Sequence, residues 1–129
     1  VMVADAFNND ANTKIVSYTE IPDVWIGVDI GTESRENYKN IIMNSQTVVW
    51  NGPMGVYEDE RFATGTAEIA QAIARSSALT ILGGGDTIGA IHKNNLQDRY
   101  DYVSAAGSAA LEFLSGAELP GLTAIGYKP

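Results

Sequence analysis

The stretch Thr80-Ile81-Leu82-Gly83-Gly84-Gly85-Asp86-Thr87 joins a short apolar run to three glycines and then an acid. This order predicts a buried strand, a turn of bare backbone and the start of a helix. Glycine permits positive φ and brings backbone N–H groups close to a ligand, and the helix that follows adds the positive end of its dipole. The stretch is therefore a candidate phosphate site, in which Asp86 is the helix N-cap or a ligand of Mg²⁺. Similar turns also occur in α/β proteins that bind no nucleotide, so the stretch alone leaves both interpretations open.

Composition limits the class of protein. The chain has 129 residues, 45% of them hydrophobic, which is enough for one domain or part of one. Its net charge of −8 excludes nucleic acid and anionic membrane surfaces as expected partners. It has no cysteine, no apolar run of the roughly 20 residues that a membrane helix needs and no export signal, so we expect a cytoplasmic protein. Because it starts at Val1, in a predicted strand, we also expect that a longer protein continues before it.

Apolar periodicity and turn residues predict alternating strands and helices along the chain. Thr32 is the predicted cap of a helix whose inward stripe is Tyr38, Ile41, Ile42 and Ser45. Leu111 and Leu114 are predicted to point inward from the last helix. The predicted elements are strands at Val1–Val3, Thr47–Trp50, Thr80–Leu82 and Tyr102–Val103, an irregular or edge segment at Asp23–Ile30, helices at Glu33–Asn44, Thr66–Ser77 and Asp86–Asn94, one helix that ends at Gly116, and a terminal extended segment at Thr123–Tyr127.

This alternation predicts a doubly wound α/β fold. We expect a mostly parallel sheet with helices on both faces, a Rossmann-like three-layer arrangement that is part of a domain. Ligands of such sheets bind at the carboxyl ends of the strands. Three predicted strand ends carry glycine-rich loops, at Asn51–Gly55, Gly83–Gly85 and Ala106–Gly107. A nucleotide whose phosphates lie across all three loops is the simplest explanation of their coincidence.

The residues around these loops resemble the C-terminal, nucleotide-binding domain of the phosphoglycerate kinase family. The similarity rests on VVWNGPMGVYE at 48–58 and ILGGGDT at 81–87, and it extends to ADAF at 4–7, DANTK at 10–14, VDIG at 28–31, FATGTAEIA at 62–70 and LEFLSGAELPG at 111–121. The resemblance implies a glycolytic kinase that transfers a phosphoryl group reversibly from 1,3-bisphosphoglycerate to ADP, giving ATP and 3-phosphoglycerate, with Mg²⁺. Residues 1–129 would then be the C-terminal part of the nucleotide domain of a monomeric enzyme, without the N-terminal substrate domain.

The resemblance also implies a role for each matching residue. Glu58 would bind the ribose hydroxyls of ADP or ATP, and Asp86 would hold Mg²⁺. Gly84, Gly85 and Gly107 would act on the phosphates during transfer. The other nucleotide-binding residues would be Asn51 beside the nucleotide, Pro53, Met54 and Val56 on the adenine side, Gly83 in the phosphate turn and Thr87 on a phosphate oxygen.

Some positions depart from the family pattern. The family usually has Ser-Thr-Gly-Gly-Gly where this chain has Ser104-Ala105-Ala106-Gly107-Ser108. If Ala106 took a positive φ, its backbone would be strained by roughly 1–2 kcal/mol. Tyr57 stands where Phe is usual. The family's substrate-binding half and phosphate-contacting lysine have no counterpart here, and further strands would lie between the Val1 and Thr47 strands.

These gaps predict that the chain alone is inactive. A second hypothesis is a noncatalytic nucleotide-binding or interaction fragment that keeps the ADP site without the chemistry. A third is a structural remnant that binds nothing.

Overall fold

The computed structural model describes residues 1–8 and 10–127, which form two three-stranded sheets and associated helices. The longest helices have 12 residues, and no helix in these ranges is long and apolar enough to cross a membrane. Short 3-10 helices lie at Tyr18–Glu20 and Glu60–Phe62. The other elements are β1 (Met2–Ala4), β2 (Thr13–Ile15), β3 (Ile26–Asp29), α1 (Thr32–Met43), β4 (Thr47–Asn51), α2 (Thr64–Arg75), β5 (Leu79–Gly83), α3 (Gly85–Lys93), β6 (Tyr102–Ser104), α4 (Ser108–Leu114) and α5 (Pro120–Ala124).

One sheet is parallel and has the strand order β4-β5-β6. Asn51 pairs with Gly83, and Gly83 pairs with Ser104, so the three strands end side by side. Helices α2 and α3 form the crossovers that parallel neighbours require. The predicted Rossmann-like α/β fold, present as part of a domain, is confirmed.

The main core lies between the parallel sheet and the helices α2 and α3. Trp50 of β4 and Leu82 of β5 are buried together with Ile69 and Ile73 of α2 and Ile91 of α3. Burying each such side chain stabilises the fold by about 1.5–3 kcal/mol. The core therefore fixes the direction in which β4 and β5 end, which is what positions the loops that follow them.

Helix α4 lies on the opposite face of the parallel sheet. Ile81 alternates with the buried Leu82 and lines an apolar groove of about 390 Å³ with Phe113 and Leu114. Helices on both faces are thus as predicted. The sequence predicts that Leu111 and Leu114 point inward, but they remain 45% and 50% exposed, and of the two Leu114 lines the groove that faces the sheet. Helix α4 has only seven residues over a narrow sheet, which leaves much of its surface uncovered.

The inward stripe predicted for α1 is also wrong in part. Tyr38 and Ile41 are 44% and 64% exposed, whereas Ile42 is buried in the main core. The reason is that α1 packs against α2 at the side of the sheet where β4 is the edge strand. Val49 of β4 is likewise half exposed, so within the described residues this strand is covered on one face.

The other sheet is antiparallel, with the order β2-β1-β3. The sequence predicts an irregular or edge segment at Asp23–Ile30, and β3 is indeed an edge strand there. The family pattern places further strands between the Val1 strand and the Thr47 strand. The structure instead gives β1 an antiparallel neighbour on each side, so both of its hydrogen-bonding edges are occupied in a sheet separate from β4.

Two predicted helix caps are wrong by one or two positions. The N-cap of α1 is Gly31 instead of Thr32, and the N-cap of α3 is Gly84 instead of Asp86. Gly84 has φ +94° and ψ 139°, a conformation open to glycine, so the turn is complete before Asp86 is reached. Asp86 lies in the first turn of α3, where its charge still complements the helix dipole.

The terminal segment predicted to be extended at Thr123–Tyr127 instead starts with the last two residues of helix α5 and continues as a turn at Ile125 and Gly126. Helix α5 begins with Pro120 after the extended Leu119. Proline favours the first turn of a helix because its fixed φ suits the turn and its missing N–H has no partner to lose there. The Pro120-Gly121 pair indicates a turn by its composition, but here it also starts a helix.

Candidate functional site

The three glycine-rich loops predicted from the sequence lie next to one another at one edge of the parallel sheet. We call them the strand-end turns and define them as residues 51–55, 83–85 and 106–107. Each contains one glycine with positive φ, at +99° in Gly52, +94° in Gly84 and +59° in Gly107. Residues other than glycine are strained in these conformations, so each turn has one position at which the backbone carries no side chain. The strand-end turns therefore bring three backbone segments together at the position where α/β sheets bind ligands.

Ala106 is not strained in this arrangement. The described residues other than glycine with positive φ are Val24 and Asn95, both far along the chain from the third turn. Gly107 alone takes the left-handed conformation of that turn and is the N-cap of α4. The departure from the family's glycine triplet is therefore compatible with the backbone seen here.

Two side chains join the first turn to the second. The Thr87 hydroxyl accepts a hydrogen bond from Gly52 N at 2.7 Å, and Thr87 is fully buried. The Asn51 side chain lies against the second turn, since a methyl group placed on Gly83 or Gly84 would approach its amide to 3.0 or 3.1 Å. Thr87 and Asn51 thus fix the relative position of the two turns.

The loop that continues from the first turn to Glu58 is anchored by α2 and β3. The buried Thr66 hydroxyl accepts from the backbone N–H groups of Met54 at 3.0 Å and Gly55 at 3.2 Å. The Val56 N–H donates to the carbonyl oxygen of Val28 at 2.9 Å. Residues of this loop and of β3 line a groove of about 350 Å³, among them the predicted adenine-side residues Pro53, Met54 and Val56.

Asp29, which sequence reasoning missed, organises the base of this loop. It is 3% exposed, and its carboxylate accepts from Gly65 N at 2.7 Å and from Ile30 N at 2.8 Å. Burial raises the pKa of Asp29, against the opposing effects of the two N–H donors and Arg35. A side chain at Gly55 would lie 2.6 Å from the Asp29 carboxylate. The sequence feature that could have identified Asp29 is an acid directly after the apolar Val28. A charged side chain at the end of a buried strand needs hydrogen-bond or ionic partners.

Glu58 and Asp86, the predicted ribose and magnesium ligands, both lie close to Tyr57 along the fold: Glu58 follows it in the chain, and Asp86 is three residues before Gly89, which faces the Tyr57 hydroxyl. Burial raises the pKa of Tyr57, and the negative charges of Glu58 and Asp86 raise it further. Glu58 and Asp86 are themselves exposed. The Lys93 ammonium group, from the end of α3, donates to the backbone carbonyls of Tyr57 and Glu58. Helix α3 thus carries Asp86 of the predicted phosphate site in its first turn and contacts the predicted ribose ligand Glu58 through Lys93 at its end.

The acids of the site suit a cation that shares its ligands with phosphate. Within residues 1–8 and 10–127, no group of three or more His, Cys, Asp or Glu side chains is arranged to hold a metal ion. Mg²⁺ commonly binds through one or two carboxylates, with substrate phosphates and water as the remaining ligands. A single exposed carboxylate, that of Asp86, beside bare backbone amides fits this donor set.

Tyr57 occupies space that a side chain on α3 would otherwise fill. A methyl group added at Gly89 would lie 2.7 Å from the Tyr57 hydroxyl oxygen. Alanine is normally about 1 kcal/mol more favourable than glycine inside a helix. We therefore expect Gly89→Ala to leave the free energy of unfolding nearly unchanged in the wild-type chain, because the crowding offsets the helical gain, but to raise it by about 1 kcal/mol in a Tyr57→Phe background.

Urea unfolding of the four proteins of this double-mutant cycle measures the coupling. Additive changes within about 0.5 kcal/mol would contradict a direct contact between the Tyr57 hydroxyl and residue 89.

Comparison with known proteins gives a consistent result. A family model for phosphoglycerate kinase matches residues 1–117. The phosphoglycerate kinase of Herpetosiphon aurantiacus is 48% identical over 128 residues, covering 99% of this chain and 32% of that protein. That of Trichodesmium erythraeum is 47% identical over 126 residues, with 97% and 32% coverage. The chain thus spans about a third of the length of the relatives that it matches.

Solved structures agree with this similarity. The phosphoglycerate kinase structure from Coxiella burnetii has a TM-score of 0.87 and 42% identity, covering 95% of this chain and 32% of the other. The structure from Pyrococcus horikoshii has a TM-score of 0.80 and 36% identity, with 96% and 31% coverage.

Proposed function

The chain belongs to the phosphoglycerate kinase family, and we propose that it supplies the ADP/ATP site for reversible, Mg²⁺-dependent phosphoryl transfer from 1,3-bisphosphoglycerate to ADP. The observation that carries this proposal is the alignment of the three strand-end turns, each with a glycine at positive φ, at the carboxyl edge of the parallel sheet. Backbone N–H groups at such positions bind phosphate oxygens without the steric bulk of side chains.

The strand-end turns hold the phosphates in this proposal. Gly84 and Gly85 present amides at the start of α3, Gly83 ends the strand that leads into this turn, and Gly107 presents the N-terminus of α4 to the phosphoryl group in transfer. Asn51 borders the nucleotide from the first turn. Phosphoryl transfer depends mainly on positioning the two reactants and on stabilising charge, which fixed backbone donors do without reorganising.

The remaining residues orient the nucleoside and the cation. Glu58 accepts hydrogen bonds from the ribose hydroxyls, and Pro53, Met54 and Val56 line the adenine side. Asp86 is the protein ligand of Mg²⁺, which neutralises phosphate charge when it is bound. The buried Thr87 hydroxyl accepts from Gly52 N and so supports the first two turns, and its own hydrogen can reach a phosphate oxygen once the turns open around the nucleotide.

The rest of the reaction requires residues outside this chain. Because the chain spans about a third of its relatives, we propose that 1,3-bisphosphoglycerate and 3-phosphoglycerate bind to the remaining two thirds of a monomeric, cytoplasmic enzyme. The chain alone then binds nucleotide but is inactive.

A hybrid protein tests the transfer. In it, this chain replaces the matching third of the Herpetosiphon aurantiacus kinase, with which it is 48% identical. We expect the hybrid to make ATP from 1,3-bisphosphoglycerate and ADP with Mg²⁺, and the chain alone to make none. A folded hybrid that binds MgADP but makes no ATP would favour the noncatalytic alternative. A chain and hybrid that bind no nucleotide would leave only a structural role.

Glu58→Ala is expected to weaken MgADP binding by about 1–2 kcal/mol, because the ribose hydroxyls lose a charged acceptor. Isothermal titration calorimetry on the chain measures the change. Glu60→Ala is the matched control: it removes the same charge from an exposed position two residues further on, and it should bind MgADP like the wild type. Equal MgADP affinity of Glu58→Ala and the wild type would show that Glu58 does not bind the ribose.

A further inference from the structure

We propose that Lys93 is a positioning residue for nucleotide binding: it holds the backbone at Tyr57 and Glu58, and so sets where the Glu58 carboxylate lies relative to the second strand-end turn. This inference rests on the proposed function, since it concerns the ribose end of the same site. Lys93 does not itself contact the nucleotide in this account.

The contact joins distant parts of the sequence. The Lys93 ammonium group donates to the carbonyl oxygen of Tyr57 at 2.9 Å and to that of Glu58 at 3.3 Å, across 36 and 35 residues of chain. The backbone hydrogen bonds of this segment itself are local, from Tyr57 N to Gly55 O and from Asp59 N to Val56 O. Lys93 therefore ties a loop segment to a helix, and a charged donor makes such bonds stronger than neutral ones.

A second contact from the same face of α3 acts on the same segment. Gly89 lies four residues before Lys93, which places both on one side of the helix. The absence of a side chain at Gly89 leaves room for the Tyr57 hydroxyl, which a methyl group there would meet at 2.7 Å. Helix α3 thus holds the Tyr57–Glu58 segment at two points one turn apart.

The same helix begins at the proposed phosphate site. Gly85 and Asp86 are its first residues, and Lys93 is its last. The seven steps from Asp86 to Lys93 span roughly 10 Å of rigid helix, at about 1.5 Å per residue. Helix α3 therefore sets the distance between the phosphate-binding turn and the ribose-binding carboxylate. Lys93 fixes the position of Glu58 relative to the helix, because it binds the backbone carbonyls of Tyr57 and Glu58.

The test separates positioning from simple charge attraction. Calorimetry on the whole chain is run with three Mg²⁺-loaded probes: ADP, 2′,3′-dideoxy-ADP and inorganic pyrophosphate. Dideoxy-ADP lacks the hydroxyls that Glu58 would bind, and pyrophosphate reports the strand-end turns alone. Lys93→Met removes the ammonium group but keeps a long side chain, and Lys93→Arg keeps a charged donor. Lys39→Met is the matched control, because it removes the same charge from α1.

We expect the wild type to prefer ADP to dideoxy-ADP and Lys93→Met to bind ADP about fivefold more weakly, with most of that preference lost. Pyrophosphate affinity should stay within about twofold of the wild type, since the second strand-end turn is unchanged. Lys93→Arg should restore the preference, and Lys39→Met should keep it. Adding Lys93→Met to Glu58→Ala should have no further effect on ADP.

Three outcomes would overturn the inference while leaving the proposed function intact. The first is unchanged ADP affinity in Lys93→Met. The second is an equal loss of affinity for all three probes in Lys93→Met, and the third is the same loss of ADP affinity in Lys39→Met. The second and third would indicate a general effect of charge. A wild-type chain that binds no MgADP would overturn both. Circular dichroism of Lys93→Met, Lys93→Arg and Lys39→Met checks that each variant is folded, which we expect for Lys93 because its side chain is exposed.

Discussion

Replacing Asp29 with alanine is expected to lower the free energy of unfolding by about 3 kcal/mol. The carboxylate accepts from the backbone N–H groups of Gly65 and Ile30, and it is almost fully buried. Alanine leaves both donors without their acceptor, and each buried, unpaired donor costs about 1–3 kcal/mol. Urea unfolding measures the loss. Asp98→Ala, at an exposed acid, should stay within about 0.5 kcal/mol of the wild type.

The Asp29→Asn variant tests the electrostatic part of this account. Its amide oxygen keeps one acceptor, so we expect a smaller loss than for Asp29→Ala. Burial raises the folded-state pKa of Asp29 above its ordinary value of 3.8. The stability that the protonated carboxyl contributes is therefore present below pH 3.8 and is lost as the pH rises through the folded-state pKa. The advantage of wild type over Asp29→Asn should shrink across that window. A constant difference would show that Asp29 does not titrate with a raised pKa.

Asp86→Ala is expected to abolish most of the Mg²⁺-dependent activity of the hybrid enzyme, by about 100-fold or more, with little change in stability. Metal ions stabilise transferring phosphoryl groups by several kcal/mol, and Asp86 is the carboxylate at the second strand-end turn. Its side chain is exposed and is not the N-cap of α3, so its removal should change the free energy of unfolding by no more than about 0.5 kcal/mol.

The chain itself provides a second readout for Asp86. The wild type should bind ADP more tightly with Mg²⁺ than without it, and Asp86→Ala should lose that difference. Asp98→Ala again removes one exposed acid without touching the site. Wild-type transfer rates and an unchanged Mg²⁺ effect in Asp86→Ala would assign the cation to another group.

The parallel sheet was predictable because its signals are local. Apolar runs such as Thr47–Trp50 end at glycine-rich loops, and the amphipathic pattern around Ile69 and Ile73 marks the crossover helix between them. The antiparallel sheet was not predicted as a sheet, because β1 and β2 have only three residues each and their pairing is set by contacts between distant segments. Tyr38 and Ile41 were misjudged for a related reason: periodicity shows an apolar side of a helix but not whether another element covers it.

The candidate site was predictable in its turns but not in its supports. Glycine at the ends of predicted strands indicates bare backbone at residues 51–55 and 83–85, because glycine takes a positive φ without strain. Asp29 and Lys93 act across 36 residues each, on Gly65 and Tyr57, and no local pattern reports such contacts. The residue roles taken from family resemblance remain predictions, and the geometry adds the contacts that hold those residues in place.

The central claim is that the three strand-end turns together bind the phosphates of MgADP. Titrating the ¹⁵N-labelled chain with MgADP and following its backbone amide resonances by NMR tests this claim most directly. We expect saturable shifts at Gly52, Gly84, Gly85 and Gly107, with smaller changes in the apolar groove around Ile81. Saturable shifts confined to that groove or to the antiparallel sheet, with the strand-end turns unperturbed, would contradict it.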